Sequence, residues 1–453
     1  MPRKAAESTS LPQEARSRAW SLRGWLNPIN GILHGGAARG GLLSTVDQGI
    51  NSLANFISTV YLARVIDPTQ FGVYSVAFLL IFLARSVHQG LNVEAVAALG
   101  AVMDDKEFRR YASASGLIQA LIALAMAGVA AGGGIILTAL GNPALGPGIT
   151  ALWLALFFWQ LEEYVRRVFY TRGEIGKAAL LSLVDTVFRL ALLVFLGQMG
   201  KLDGPMGVYT IGVGGVAGAI SALWLGRRYW TRRGLNLLDA WKRNWEYGRW
   251  LLGGLLATWA AQKLYPILAA GLINFAATGA YRALQNLVAP VHVLIIALDP
   301  FFTPRAARRY RDAGHRGLSR ILALTYLIYT LPIVVILLLA TLFAGPLLYL
   351  LYGATYLPYS AGIGLMAIDY ALWASYYPLQ SALKGVRRTL PIFVANIVAI
   401  VSMFTAGLYL IRRWEVYGTI AGQALNALLI NIVLWTWWIV LTRKENHRKK
   451  EKA

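Results

Sequence analysis

Cysteine is absent from all 453 residues, which excludes disulfides and thiolate metal sites. Charge is also scarce, at 14% of residues against 57% apolar. A soluble protein of this length could not cover its surface with so few charges, so the mean hydropathy of +0.53 reads as an integral membrane protein. Acidic residues are the scarcer sign, 21 against 43 Lys and Arg, leaving a net charge of +22. Catalytic motifs are missing too. Gly173-Glu-Ile-Gly-Lys177 has neither the spacing nor the following Ser/Thr of a Walker loop, and neither a His-Glu-x-x-His helix nor a nucleophile elbow occurs. ATP-driven transport within the chain and catalysis both lose their basis, and no cofactor is expected. Residues 1–41 contain no long apolar run and do not read as a signal peptide. They read as a cytoplasmic extension, with Trp20 to Trp25 in the headgroup region.

What is present is a series of apolar runs of membrane-spanning length. Twelve are expected, near 42–66, 72–100, 113–136, 149–168, 178–197, 206–226, 249–273, 278–302, 321–343, 361–383, 391–411 and 418–441. With the N-terminus inside, the outer loops hold only Lys201, Arg412 and Arg413, while the inner segments carry most of the remaining cations. That asymmetry puts both termini in the cytoplasm. It makes the basic balance a topology signal and a contact with anionic membrane lipids, not a nucleic-acid patch.

The chain also repeats. Tyr61-Leu-Ala-Arg-Val-Ile-Asp-Pro-Thr-Gln-Phe-Gly-Val-Tyr74 aligns without a gap to Leu268-Ala-Ala-Gly-Leu-Ile-Asn-Phe-Ala-Ala-Thr-Gly-Ala-Tyr281, an offset of 207. Six spans per half make the repeats parallel, related by an axis along the membrane normal. The expected division is a first six-helix bundle at 42–226, a basic interfacial linker at 227–248, a second bundle at 249–441 and a basic tail at 442–453. The linker interleaves cations with Trp230, Trp241 and Trp245, as suits a helix on the inner interface.

Polar residues inside the spans carry the functional reading. Span one bears Ser44, Asp47, Gln48, Asn51, Asn55 and Ser58 on one helical face. Span two bears Arg85, Gln89 and Asn92, with His88 adjacent, and span eight bears Arg282, Gln285, His292 and Asp299. Subtracting 207 places His292 on Arg85, Asp299 on Asn92, Thr258 on Asn51 and Gln262 on Asn55. Spans one, two, seven and eight are therefore expected to line one central cavity. An intramembrane cation costs at least ~2.5 kcal/mol near a helix centre, so each should face a partner or water. Arg64 can snorkel at its span end, and Arg189 has Asp185 one turn away as an expected intrahelical partner. Arg85, Lys263 and Arg282, with His88 and His292, then make a cationic lumen suited to an anionic passenger. Span ten sets Asp369, Trp373, Tyr376, Tyr377 and Gln380 on one side. These aromatics either stack on sugar rings or serve as packing and belt residues. Isolated polar residues such as Asn396 and Gln423 read as helix–helix hydrogen bonds.

At Leu62-Ala-Arg-Val-Ile-Asp-Pro-Thr-Gln-Phe-Gly-Val-Tyr74 the chain resembles the Wzx-type polysaccharide flippases of the multidrug/oligosaccharidyl-lipid/polysaccharide exporter superfamily. Tyr170-Thr-Arg-Gly173 and Gly279-Ala-Tyr-Arg282 share that likeness. The resemblance implies an all-α protein of two six-helix bundles around a cationic central cavity. It also implies transfer of a polyprenyl-pyrophosphate-linked oligosaccharide from the inner to the outer leaflet of the bacterial cytoplasmic membrane. The polymerase and glycosyltransferases of the same pathway would be partners. Relatives often carry an acidic residue near the middle of span seven, where this chain has Gln262-Lys263. Asp47, Glu94, Asp299 and Asp369 remain as candidates for binding a proton or sodium. The competing readings are an ion-coupled multidrug or small-molecule exporter, which would favour carboxylates in the lumen, and a lipid II flippase, which typically has two further spans.

Overall fold

The computed structural model describes residues 36–450 except Arg387, without the side chains of 36–40, 296–301, 304 and 444–450. The N-terminal extension and the last three residues lie outside the described residues, as do the side chains of Asp299 and most of the basic tail. Among the described residues there is no strand. Twelve helices follow in order: α1 (Gly36–Val65), α2 (Pro68–Gly100), α3 (Asp105–Ala139), α4 (145–171), α5 (Ile175–Gln198) and α6 (Gly204–Leu225), then α7 (Leu237–Leu272), α8 (275–313), α9 (315–342), α10 (Gly362–Gly385), α11 (390–413) and α12 (416–450). Gly314, at φ 59°, breaks α8 from α9, and the non-helical Trp414 with Glu415 at φ 48° breaks α11 from α12. A short helix, Ala344–Tyr352, precedes α10.

Among the described residues, six helical stretches are long and apolar enough to cross a membrane by composition. They cover α2, α3, α5, α6, α9 with the end of α8, and the α11–α12 pair. The helices left out, α1, α4, α7, α10 and most of α8, carry the buried polar groups described below. Their ability to span rests on pairing those groups inside the protein.

The repeat is visible in the local chemistry. Asp67 caps α2 by accepting from the Thr69 amide at 2.7 Å, and its repeat mate Asn274 caps α8 by accepting from the Ala277 amide at 2.8 Å. Tyr74 and Tyr281, also mates, are both buried. Gly72 and Gly279 meet where α2 crosses α8. A Cβ on Gly72 would lie 1.8 Å from the Phe275 carbonyl oxygen, and one on Gly279 would lie 3.3 Å from the Gly72 nitrogen. Only the missing side chains let these backbones come so close.

Two boundaries differ from expectation. The segment 227–248 is not one interfacial helix: Arg227–Tyr229 forms a 3₁₀ turn, and Asn236 caps a helix that runs unbroken into the second half as α7. The inner end of α7 docks on the first half, where a Cβ on Gly248 would lie 1.9 Å from the Gly90 carbonyl oxygen. Helix α4 extends to Thr171, past the span end expected near 168, and Arg166 and Arg167 lie within it. Glu163 of the same turn pairs with Arg166, and Glu94 of α2 pairs with Arg167.

Candidate functional site

The polar stripes do not converge on one surface. They divide among three neighbourhoods.

In the first half, the stripe of α1 turns into the bundle. Asp47, 1% exposed, accepts from Arg166 at 3.3 Å and from the Tyr170 hydroxyl at 2.5 Å. Asn51 donates to Ser182 Oγ on α5 at 3.1 Å, and Asn55 accepts from Arg189 at 3.1 Å. Arg166 also pairs with Glu163, which holds Arg85 at 3.2 Å on its other oxygen. Arg85 additionally lies over the Trp159 ring, 6.0 Å from its centroid. Gln48 alone of this stripe is exposed. The expected Asp185–Arg189 ion pair does not form. Arg189 reaches α1 instead, because Asn55 supplies an acceptor across the helix interface.

Toward the inner side, His88 and Asn92 are wholly buried, so neither lines an open lumen. His88 Nδ1 is 3.2 Å from Gln119 Nε2, while Asn92 donates to Gln119 Oε1 and accepts from Asn244 of α7. Asn244 in turn accepts from Tyr111. This network fastens the inner end of α7 to α2 and α3. Gln89 is half-buried at the π-turn Gln89–Val93 in α2. Glu94 pairs with Arg167, which leaves it an ordinary ion pair.

The second half holds a cavity of about 50 Å³ between α7, α8, α10 and α12. Gln262, Lys263, Gln285, His292, Asp369, Trp373 and Tyr376 line it, without the first-half residues expected to share a central lumen with them. Tyr370, Gln423 and Asn426 line it as well and were not expected there. Gln423 accepts from Tyr281, a contact between α8 and α12 that no spacing rule reveals. This volume admits a few waters and not a sugar ring. Trp373 stacks on His292 with centroids 4.8 Å apart, and Tyr377 stands off the cavity against Trp373 and Lys384. Thr258 is not on the cavity wall but accepts from Asn396.

Arg282 sits between the halves. It donates to Gln285 at 2.9 Å and lies over the Phe78 ring of α2 at 4.9 Å. Arg85 is seven residues beyond Phe78 on the same helix, about 10 Å further inward. Trp259 of α7 donates to the Leu79 carbonyl at 3.2 Å, and Arg64 reaches the Leu350 carbonyl. Close backbone approaches between α2 and α8 are thus near their N-termini, with guanidinium groups further along both helices.

Residues 37–299 match the model of a family described as polysaccharide biosynthesis protein. That is more than half of the chain. The chain belongs to this family. Its all-helical fold is that of solved transporters of the MOP superfamily. An inward-facing multidrug-resistance MATE transporter superposes with a TM-score of 0.75 at 13% identity, covering 90% of this chain and 99% of that one. An outward-facing MATE transporter gives 0.64 at 14% identity, covering 93% and 98%. A superfamily transporter from Pyrococcus furiosus, noted for a binding pocket of reversed polarity, gives 0.64 at 14% identity, covering 90% and 96%. No curated protein matches the chain. The solved structures that it resembles in fold are those of transporters.

Proposed function

We propose that the chain is a flippase that moves a polyprenyl-pyrophosphate-linked oligosaccharide repeat unit from the inner to the outer leaflet during surface polysaccharide synthesis. The observation that supports this most directly is the placement of Arg85 and Arg282 inward of the Gly72–Gly279 contact, in a protein whose family serves polysaccharide biosynthesis. Guanidinium forks suit a pyrophosphate. The glycan enters between the halves while the lipid tail stays in the bilayer. Rocking of one half, 42–226, against the other, 249–441, then parts the outer contact and closes the inner one. Glycan stacking on Trp373 or Tyr376 requires the small second-half cavity to widen. In a bacterial cytoplasmic membrane with both termini inside, the potential favours outward movement of the anionic headgroup by ~2.3 kcal/mol per charge per 100 mV. Pathway polymerase and glycosyltransferases are the partners that would supply and consume this substrate.

Native mass spectrometry of gently extracted protein tests this reading. A co-purified polyprenyl-pyrophosphate glycan that disappears in Arg85→Ala and Arg282→Ala supports it, and undiminished flux in both variants sinks it. A second reading, export of a small molecule, is favoured by the MATE likeness and by Asp369 on the second-half cavity. Phospholipid alone in the spectrum, with cation-driven drug efflux from vesicles, would select it.

A further inference from the structure

Where α5 begins and α6 ends there is an open cleft of about 290 Å³ that shares no residue with the second-half cavity. Lys177 of α5, Trp224 and Leu225 at the end of α6, and Arg227 and Arg228 of the following turn line it. Both helices are long and apolar enough to span, and the short connection at 199–203 makes them a hairpin. The start of α5 and the end of α6 therefore lie at one membrane surface, at headgroup level.

Charge in the cleft is unbalanced. Glu174 pairs with Arg228 through one oxygen and with Lys177 at 3.3 Å through the other, which also accepts from Tyr229 at 2.9 Å. Both of its oxygens are thus taken. Among the described residues no carboxylate pairs with Arg227, whose guanidinium lies over the Trp224 ring, 5.6 Å from its centroid. Three cations against one carboxylate leave a surplus of positive charge beside an exposed indole. The walls then continue into the bilayer as apolar ridges. Leu180 and Leu183 follow Lys177 along α5, and Ile220 and Leu223 precede Trp224 on α6; all four are exposed.

We propose that this cleft binds one anionic phospholipid. Its phosphodiester takes the forked donors of Arg227 and the ammonium of Lys177, its glycerol edge packs on Trp224, and its acyl chains follow the two ridges. A zwitterionic lipid brings its own cation, which the surplus charge repels. Free phosphate would satisfy the cations but leave the ridges unused. Arg227 and Arg228 open the connection to α7, so an occupied cleft ties that connection to the start of α5. The site stands whichever headgroup the protein carries across.

Native mass spectrometry of the delipidated full-length protein, titrated with phosphatidylglycerol, reads the site directly. The expected result is one tightly held lipid whose affinity falls about tenfold or more in Lys177→Gln with Arg227→Gln. Arg412→Gln with Arg413→Gln, an equal loss of charge beside the exposed Trp414, should leave that lipid in place. Equal loss in both double variants overturns the proposal, as does equal retention of phosphatidylcholine by the native protein. Displacement of the lipid by inorganic phosphate overturns it in favour of a free-phosphate site. Displacement by a polyprenyl-pyrophosphate glycan overturns it in favour of a station on the transport path. If the first variant does not fold, Leu223→Cys, a single thiol in this cysteine-free chain, carries a fluorophore beside the cleft. Stronger quenching by brominated phosphatidylglycerol than by brominated phosphatidylcholine supports the site, and equal quenching overturns it.

Discussion

Arg166 shows how a residue can be functional in appearance and structural in effect. Its side chain is 13% exposed and joins Asp47 on α1 to Glu163 on its own helix. Removing one partner of a buried ion pair leaves the others uncompensated, at a cost of about 3–5 kcal/mol. Arg166→Ala should therefore lower the thermal unfolding midpoint of the purified protein sharply. Adding Asp47→Asn should recover part of the loss, because it removes a charge that has lost its partner. No recovery would mean that Asp47 is stabilised by something other than Arg166. Asn92 makes a comparable case without charge. It is buried among Ser115, Gln119 and Asn244, so Asn92→Ala should cost about 1–3 kcal/mol, read by the same unfolding measurement.

At the scale of elements, the crossing of α2 and α8 is the joint most exposed to test. The Cβ of Gly72→Ala would collide with the backbone of Phe275, which cannot swing aside as a flexible side chain would. The expected result is parting of the outer ends of these two helices. Because the chain has no cysteine, Ser75→Cys provides a single thiol at a position 1% exposed, beside the crossing. It should resist a membrane-impermeant maleimide in the native background and react once Gly72→Ala is added. Equal labelling in both backgrounds would mean that the crossing does not seal the path. Much of this element was legible beforehand: the Gly72/Gly279 and Tyr74/Tyr281 coincidences are in the sequence. That the glycines touch each other is not, since spacing gives register and not the distance between two helices.

For the whole molecule, the contacts on the outer side join two halves that a transporter must separate. Arg64 of α1 reaches Leu350, on the short helix that precedes α10. Both positions are exposed, so Arg64→Cys with Leu350→Cys is open to a short, reducible thiol cross-linker. Cross-linking should stop glycan-lipid transfer in reconstituted vesicles, and reduction should restore it. Full transfer by the cross-linked protein would exclude rocking of the halves at this point.

The sequence by itself determined the membrane class and the order of helices, because apolar run length and helical period are local properties of the chain, while the family came from the resemblance of particular motifs. It named Lys263, Gln285 and His292 on spans seven and eight and Asp369, Trp373 and Tyr376 on span ten, and the second-half cavity brings the two sets together. Only the tertiary structure decided which face of each polar stripe meets water and which meets a partner. Asp47, Asn51 and Asn55 share one face of α1, and that face packs on α4 and α5. Periodicity identifies a polar face, but its partner comes from residues more than a hundred positions away. The same holds for Lys177 and Arg227, which meet at one cleft only once α6 folds back along α5. Burial and hydrogen-bond satisfaction are properties of the packed molecule, and no local pattern carries them.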